Sequence, residues 1–440
     1  MQISDLRFQI EARIADFDTG LREPSLNADL TASLDRPLAR SRRWFLRLGA
    51  LASGAFAACR SSAPAPASAP SLLGRPVSPY GDRSRFEKAL RIVRQSVVTT
   101  NEAASSGTPL QDLYGIITPS SLHFERHHGG VPDIDPATHR LLIHGLVDRP
   151  LVFTVDDLKR LPSVSRIYFL ECSGNGNTEW KTAFEKDVQR THGLTSCSQW
   201  TGVPLSILLD EAGVQPAGVW ILAEGADACK MTRSIPIDKA RADVLVAYGQ
   251  NGEALRPEQG YPLRLLVPGW EGNINVKWLR RLKVVDKPYM TREETSKYTD
   301  LMPDGTARQF TFMMDAKSVI TRPSGGQRLP GPGVYELTGI AWSGRGAIRR
   351  VEVSTDGGRT WQDAVLDGPV LPIAHTRFLL SWRWDGRNAI VQSRCTDETG
   401  YVQPPRAALT AVRGTNSNYH NNAIQSWQIT PDGSVRTIDA

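Results

Sequence analysis

Apolar residues recur along this chain at two different spacings. Between 86 and 100 they fall on one helical face, at Phe86, Leu90, Val93 and Val97, which predicts a helix there. After Tyr114 the period shortens. Brief apolar runs alternate with Gly, Pro and Asp turns, as at 141–147 and 168–170, and these predict strands. Short helices are predicted at 155–161 with Thr154 as N-cap, at 205–212 and at 237–240. From 334 to 412 strands follow one another closely, at 333–337, 348–354, 378–384 and 389–395. Asp356-Gly357-Gly358 is the hairpin turn between two of them. That second pattern is an immunoglobulin-like β-sandwich. The expected fold class is therefore α+β, a mixed, β-rich first domain followed by the sandwich.

Composition narrows the class. The chain has 440 residues, 40% hydrophobic and 22% charged, which suits two or three soluble globular domains. The net charge of +6 is mild, and no Lys/Arg run is interleaved with aromatics, so no nucleic-acid partner is expected. No apolar run is long enough for an integral membrane span. The five cysteines, Cys59, Cys172, Cys197, Cys229 and Cys395, are odd in number and widely spaced, unlike a disulfide framework. Without CxxC a zinc site of the usual spacing is not expected, and without CxxCH no c-type haem is attached to this chain. Cys197, Cys229 and Cys395 read as buried core thiols, and His192, His375 and His420 as structural.

The N-terminal region carries a targeting pattern. Ser41-Arg42-Arg43-Trp44-Phe45-Leu46-Arg47 precedes a weakly apolar Ala/Gly run, a twin-arginine export signal behind a long n-region. Ala57-Ala58-Cys59 offers a lipoprotein site, with simple cleavage favoured because Phe56 is atypical. A Pro/Ala-rich spacer follows at 61–79. Export in the folded state implies a cofactor inserted before transport, which places the chain in the periplasm.

Three clusters carry the chemistry. Leu170-Glu171-Cys172-Ser173-Gly174-Asn175-Gly176-Asn177 puts a cysteine at a strand end, entering a loop of small residues. It is either a core thiol or an exposed thiolate, nucleophile or metal ligand. Phe124-Glu125-Arg126-His127-His128-Gly129-Gly130 offers anion donors in a loop. Gly260-Tyr261-Pro262-Leu263-Arg264 and Asn275-Val276-Lys277-Trp278 add two cations near tight turns. Each alone is also readable as an ordinary loop with solvated charges.

Together with Ala341-Trp342-Ser343-Gly344 and Val353-Ser354-x-Asp356-Gly357-Gly358-x-Thr360-Trp361, these segments resemble the sulfite oxidase family of molybdopterin enzymes over roughly 114–412. The resemblance implies a molybdenum-molybdopterin cofactor in its mononucleotide-free form, with Cys172 as the metal's thiolate ligand. It places Phe124, Glu125, Arg126, His127 and His128 around the pterin, with Arg126 near the metal. Asp227, Gln259, Arg264, Asn275, Val276 and Lys277 fall at cofactor-contacting positions. Tyr298 would face the metal, and Arg345 would reach the substrate pocket from the second domain; Tyr298, Arg126 and Arg345 are the catalytic candidates. The sequence departs from the family at Asn177, where an Arg helps bind sulfite, at Gln259, where a His stands, and near Arg190, where a pocket Trp stands.

The run Gly414-Thr415-Asn416-Ser417-x-Tyr419-His420-Asn421-Asn422 is similar to one branch, the molybdenum subunits of sulfane dehydrogenases in thiosulfate oxidation. That branch implies a sulfur-carrier protein as substrate, a dihaem cytochrome c subunit as electron acceptor, and a homodimer through the sandwich. A sulfite dehydrogenase acting on free sulfite, an exported binding protein without metal and a reductase relative repairing oxidised Met are the competing readings. The expected organisation is 1–60 export signal, 61–110 spacer and N-terminal helix, 111–300 catalytic domain, 301–330 linker, 331–415 sandwich and 416–440 tail.

Overall fold

A computed structural model describes residues 74, 76–95, 102–181 and 187–439. The twin-arginine segment and Cys59 lie outside the described residues. Residues 89–440 belong to one compact unit and 21–88 to another; in the latter the described residues form only bends and turns.

In the larger unit the first half carries two five-stranded sheets. One orders Glu253–Ala254, Leu245–Gln250, Thr195–Pro204 and Val164–Glu171, with Arg264–Leu266 added along Leu245–Gln250. The other runs Leu151–Thr154, Arg140–Gly145, Leu279–Val285, Trp220–Gly225 and Thr232–Pro236. Arg140–Gly145 and Leu279–Val285 pair in parallel, and the other pairs in that sheet are antiparallel. Leu141, Ile143, Val246, Leu265, Leu282 and Val284 face one apolar core between them. The helix Val155–Lys159 starts where the sequence places it, because Thr154 and Asp157 form a reciprocal capping box. The helix Leu205–Ala212 keeps its expected bounds, its apolar positions Leu205, Leu208, Leu209 and Ala212 buried.

The second half is a sandwich. Its four-stranded sheet orders Lys317–Arg322, Gly333–Trp342, Thr376–Trp384 and Val365–Asp367. Its five-stranded sheet orders Gln362–Asp363, Ile348–Ser354, Ala389–Asp397, Ser426–Ile429 and Val435–Ile438. The two halves share a core. Leu110, Phe169, Val188 and Cys197 from the first half pack into the cluster built on Trp342, Phe378, Trp384 and Trp427.

Three expectations are corrected. The helix over 86–100 is replaced, within its described residues, by a strand, Ile92–Gln95, paired antiparallel with Ala104–Gly107. Its intended apolar face has nothing to cover: Phe86, Leu90 and Val93 are all exposed. The stretch 301–330 is not simply a linker, since it holds the sandwich strand Lys317–Arg322. Nor is 416–440 simply a tail, because two strands of the five-stranded sheet lie in it. Short strands flanked by Gly and Pro carry too few residues to show a period.

Trp427 shows what that C-terminal stretch does. It is fully buried, and its indole N–H donates to the Ile320 carbonyl at 3.1 Å. Trp427→Ala is expected to destabilise the protein by about 3–5 kcal/mol, read as a lower urea midpoint; an unchanged midpoint would mean the C-terminal strands are not part of the cooperative fold.

Candidate functional site

The ends of several strands converge on one cavity. Val164–Glu171 delivers Cys172 at its C-terminal end. The three-stranded sheet of Ile92–Gln95, Ala104–Gly107 and Glu125–His127 brings Phe124 to His128 alongside. Asp227 follows Trp220–Gly225, and Gln259 closes a 3-10 turn whose cap, Gly260, has φ of 108°. A side chain at Gly260 would be strained and would press on Lys277 and Arg264. Arg264 and Lys277 face each other on an antiparallel bridge, so two cations enter the cavity side by side.

The cavity encloses about 700 Å³ counting its open mouth. Its lining includes every expected cofactor residue, Phe124 to His128, Asp227, Gln259, Arg264, Asn275, Val276 and Lys277, together with Cys172 and Tyr298. Arg345 is not among the residues that line this cavity. Its guanidinium pairs with Asp315 at 2.7 Å and lies 5.5 Å from the Tyr401 ring centre. Asn177 is exposed outside the cavity lining, and Arg190 pairs with Asp187. Cys197 and Cys395 are buried as expected, whereas Cys229 is exposed on the turn after Asp227.

Hydrogen bonds hold the walls. Gln259 donates to the Phe124 carbonyl at 2.9 Å, tying two cofactor loops together. Arg264 donates to the carbonyls of Gln259 at 3.0 Å and Asn275 at 3.3 Å. Asn275 accepts from the Val267 N–H at 2.7 Å. Lys277 donates to the Glu258 carbonyl at 3.0 Å. The Tyr298 hydroxyl stands 3.4 Å from His128 Nε2. Tyr298 itself has φ of 56°, a left-handed conformation for a non-glycine residue. Its ring is flanked by the Arg233 guanidinium at 5.2 Å and the Tyr419 ring at 5.3 Å.

The electrostatics favour an anionic guest. Burial lowers Arg264 to about 9; burial, and then the Arg264 charge beside it, lower Lys277 to about 7. Arg264 Nε is buried without a partner. Burial also raises the Cys172 thiol, against the pull of the Gly174 N–H and Arg126, and raises the Tyr298 phenol. Burial lowers His128 to about 4, so that ring is neutral near pH 7. These cations, set close together in a dry wall, suit a phosphate group.

A metal here would have to arrive with most of its own ligands. Among the described residues no three His, Cys, Asp or Glu side chains converge on a point. Among the described residues, Cys172 is the one cysteine on the cavity lining, where its sulfur can serve as a soft thiolate ligand. Gly272 lets its loop lie against that sulfur's backbone: a Cβ there would come within 2.8 Å of the Glu171 carbonyl. A lone thiolate, a phosphate-seeking cation pair and close backbone approach fit a metal carried by a phosphorylated dithiolene cofactor.

Some of the lining is not singled out by the sequence. His123 lines the cavity, with Nδ1 2.9 Å from the Phe124 carbonyl, Nε2 buried without a partner, and its pKa lowered by burial to about 3. Met231 and Asn273 also contribute. The signal available for His123 is its position one residue before the anion-donor loop.

Fold and site together define a molybdopterin oxidoreductase. Residues 128–293 match the oxidoreductase molybdopterin binding domain and residues 308–427 match the Mo-co oxidoreductase dimerisation domain. The chain belongs to the sulfite oxidase family. It is 32% identical over 377 residues to mitochondrial sulfite oxidase of Rattus norvegicus, covering 79% of this chain and 67% of that one. It is 34% identical over 289 residues to NADH nitrate reductase of Ulva prolifera, covering 56% of this chain and only 32% of that longer protein. Its fold is similar to the crystal structure of the sulfane dehydrogenase SoxCD from Paracoccus pantotrophus, with TM-score 0.82, 49% identity, 84% of this chain and 96% of that one.

Linkage makes the cation pair measurable without cofactor. The ordinary Lys277 value is 10.5 and the folded one is about 7. Between those values the unfolded chain holds more protons, so the stability of the cofactor-free protein should rise with pH across that window. Lys277→Met should flatten the rise in thermal melts; an identical pH profile in the variant would show that Lys277 is not the buried cation.

Proposed function

We propose that this chain is the molybdenum subunit of an exported sulfane dehydrogenase. Its substrate would be a sulfane sulfur held on the cysteine of a carrier protein, and its electron acceptor a dihaem c-type cytochrome subunit. The observation that carries this reading is the 49% identity to the sulfane dehydrogenase SoxCD across 96% of that chain. The cavity supports it chemically. Arg126 is the arginine on the lining near Cys172, while Arg345 is taken up by Asp315 and Asn177 carries no charge. A small free dianion would meet fewer cations here than the family pattern supplies; a carrier-bound monoanionic sulfur needs fewer.

The bound molybdenum-pterin, in its mononucleotide-free form, would supply two-electron oxidation of sulfur with oxygen drawn from water. Arg264, Lys277 and Asn275 would hold the phosphate end, and Gln259 with the Phe124–His128 loop the pterin. Cys172 would give up its proton and bind the metal through sulfur. Each oxygen added from water releases two protons and two electrons. Tyr298, kept protonated and beside neutral His128, can donate a hydrogen bond to a substrate oxygen. Electrons would leave singly to the cytochrome.

The export signal at Arg42-Arg43 supports a periplasmic site of action after folded transport. The match to a dimerisation domain supports a homodimer through the sandwich. Among the described residues no helix is long and apolar enough to cross a membrane. Free sulfite is the second reading, favoured by the identity to sulfite oxidase.

Metal and pterin analysis of protein from a cofactor-competent host is the primary test. The expected result is molybdenum with a mononucleotide-free pterin, both lost in Cys172→Ser; Cys172→Ser that keeps metal and rate would overturn the ligand assignment. Steady-state assays with cytochrome c should show a higher kcat/KM for a persulfide-loaded carrier protein than for sulfite. The reverse order would establish the sulfite dehydrogenase reading. Tyr298→Phe should lower kcat roughly a hundredfold while the melting temperature holds; an unchanged kcat would leave Tyr298 a packing residue.

A further inference from the structure

We infer that Lys317 and Trp342, both from the sandwich domain, are positioning residues for the Cys172 sulfur. The inference rests on Cys172 being the metal ligand. It gives the second domain a part in the chemistry.

Glu171 immediately precedes Cys172 and is 1% exposed. Both of its carboxylate oxygens are occupied. Oε1 accepts from Lys317 Nζ at 3.2 Å and from Asn175 Nδ2 at 2.9 Å. Oε2 accepts from the Trp342 indole N–H at 2.6 Å. Lys317, 2% exposed, also donates to the Asn175 carbonyl at 3.2 Å. Asn175 in turn closes the cysteine turn: its N–H donates to the Cys172 carbonyl at 2.8 Å, and its Oδ1 accepts from the Leu194 N–H at 3.1 Å. The Cys172 N–H donates to the Leu194 carbonyl at 2.9 Å. On the other side, Asn273 Nδ2 donates to Ser173 Oγ at 3.1 Å, and the His420 N–H to the Ser173 carbonyl at 2.7 Å.

The segment on either side of Cys172 is thus held by hydrogen bonds, and those of Lys317, Trp342 and His420 start in the other domain. A buried ion pair is a poor source of stability, since well-packed apolar residues do as well or better. What Lys317 and Trp342 provide is direction. With both carboxylate oxygens saturated, Glu171 cannot rotate without leaving a buried charge or donor unpaired. The direction of the adjacent sulfur is fixed with it. Partners one step out from a metal ligand set its geometry in this way.

Two variants of the metal-loaded protein test this: Lys317→Gln and Trp342→Phe. Readouts are molybdenum content, the electron paramagnetic resonance signal of the partly reduced metal, and kcat and KM. Lys317→Gln should keep its molybdenum, shift the resonance signal and lower kcat about 10- to 100-fold with KM unchanged. Trp342→Phe keeps the ring and loses one donor, and should shift the signal in the same direction. If Lys317→Gln does not fold, Trp342→Phe decides. A wild-type signal and kcat in whichever of these single variants loads metal overturns the inference. Cys172→Ser is run in parallel: molybdenum and signal retained there would sink the ligand assignment itself, a result separate from the positioning one.

Discussion

The buried carboxylate of Glu171 is the constraint on which the rest of this structure turns. A carboxylate taken out of water must be paired or it destabilises the fold by several kcal/mol. Here its partners come from another domain, Lys317 and Trp342, so the strand Val164–Glu171 can end as it does only with the sandwich docked. The same junction carries apolar continuity, since Phe169, on that strand, packs in the cluster of Trp342 and Phe378. Cys172, which lines the cavity, follows directly.

On the far side of Cys172 the cavity is electrostatically unbalanced by design of its walls. Arg264 and Lys277 stand side by side, and burial depresses both. A protein that binds an anion tightly has to hold such charges in place beforehand, and the guest returns the cost on binding. An anionic guest bound there would therefore stabilise the folded chain.

The same framework serves nitrate reductases and sulfite oxidases among its relatives, so the fold alone does not choose a substrate. On the function proposed above, the choice would lie in which cations reach the cavity beside Cys172. Arg126 lines it, Asn177 carries no charge, and Arg345 is drawn away by Asp315. The phenol of Tyr298 is fixed by a strained backbone and by Arg233 and Tyr419, so its hydroxyl meets His128.

The sequence by itself determined the elements whose periods are long enough to read, such as Ile348–Ser354 and Leu205–Ala212, and the helix start at Thr154. It also identified the cysteine loop, the Arg-His-His loop and the two cationic segments, because small residues around reactive ones mark close backbone approach. It did not show that these four loops share one cavity, nor that His123 joins them. The helix expected over 86–100 failed because periodicity describes a face without saying what covers it, and Phe86, Leu90 and Val93 stay exposed. Strands at Lys317–Arg322 and Ser426–Ile429 were hidden in stretches read as linker and tail. Arg345 is a candidate through the family resemblance, and its pairing with Asp315 becomes visible only in space. Most tellingly, Glu171 and Lys317 lie 146 positions apart. Local pattern reports local energies. Which distant charge pairs with which is settled only when two domains dry the space between them, so that decision belongs to the tertiary structure.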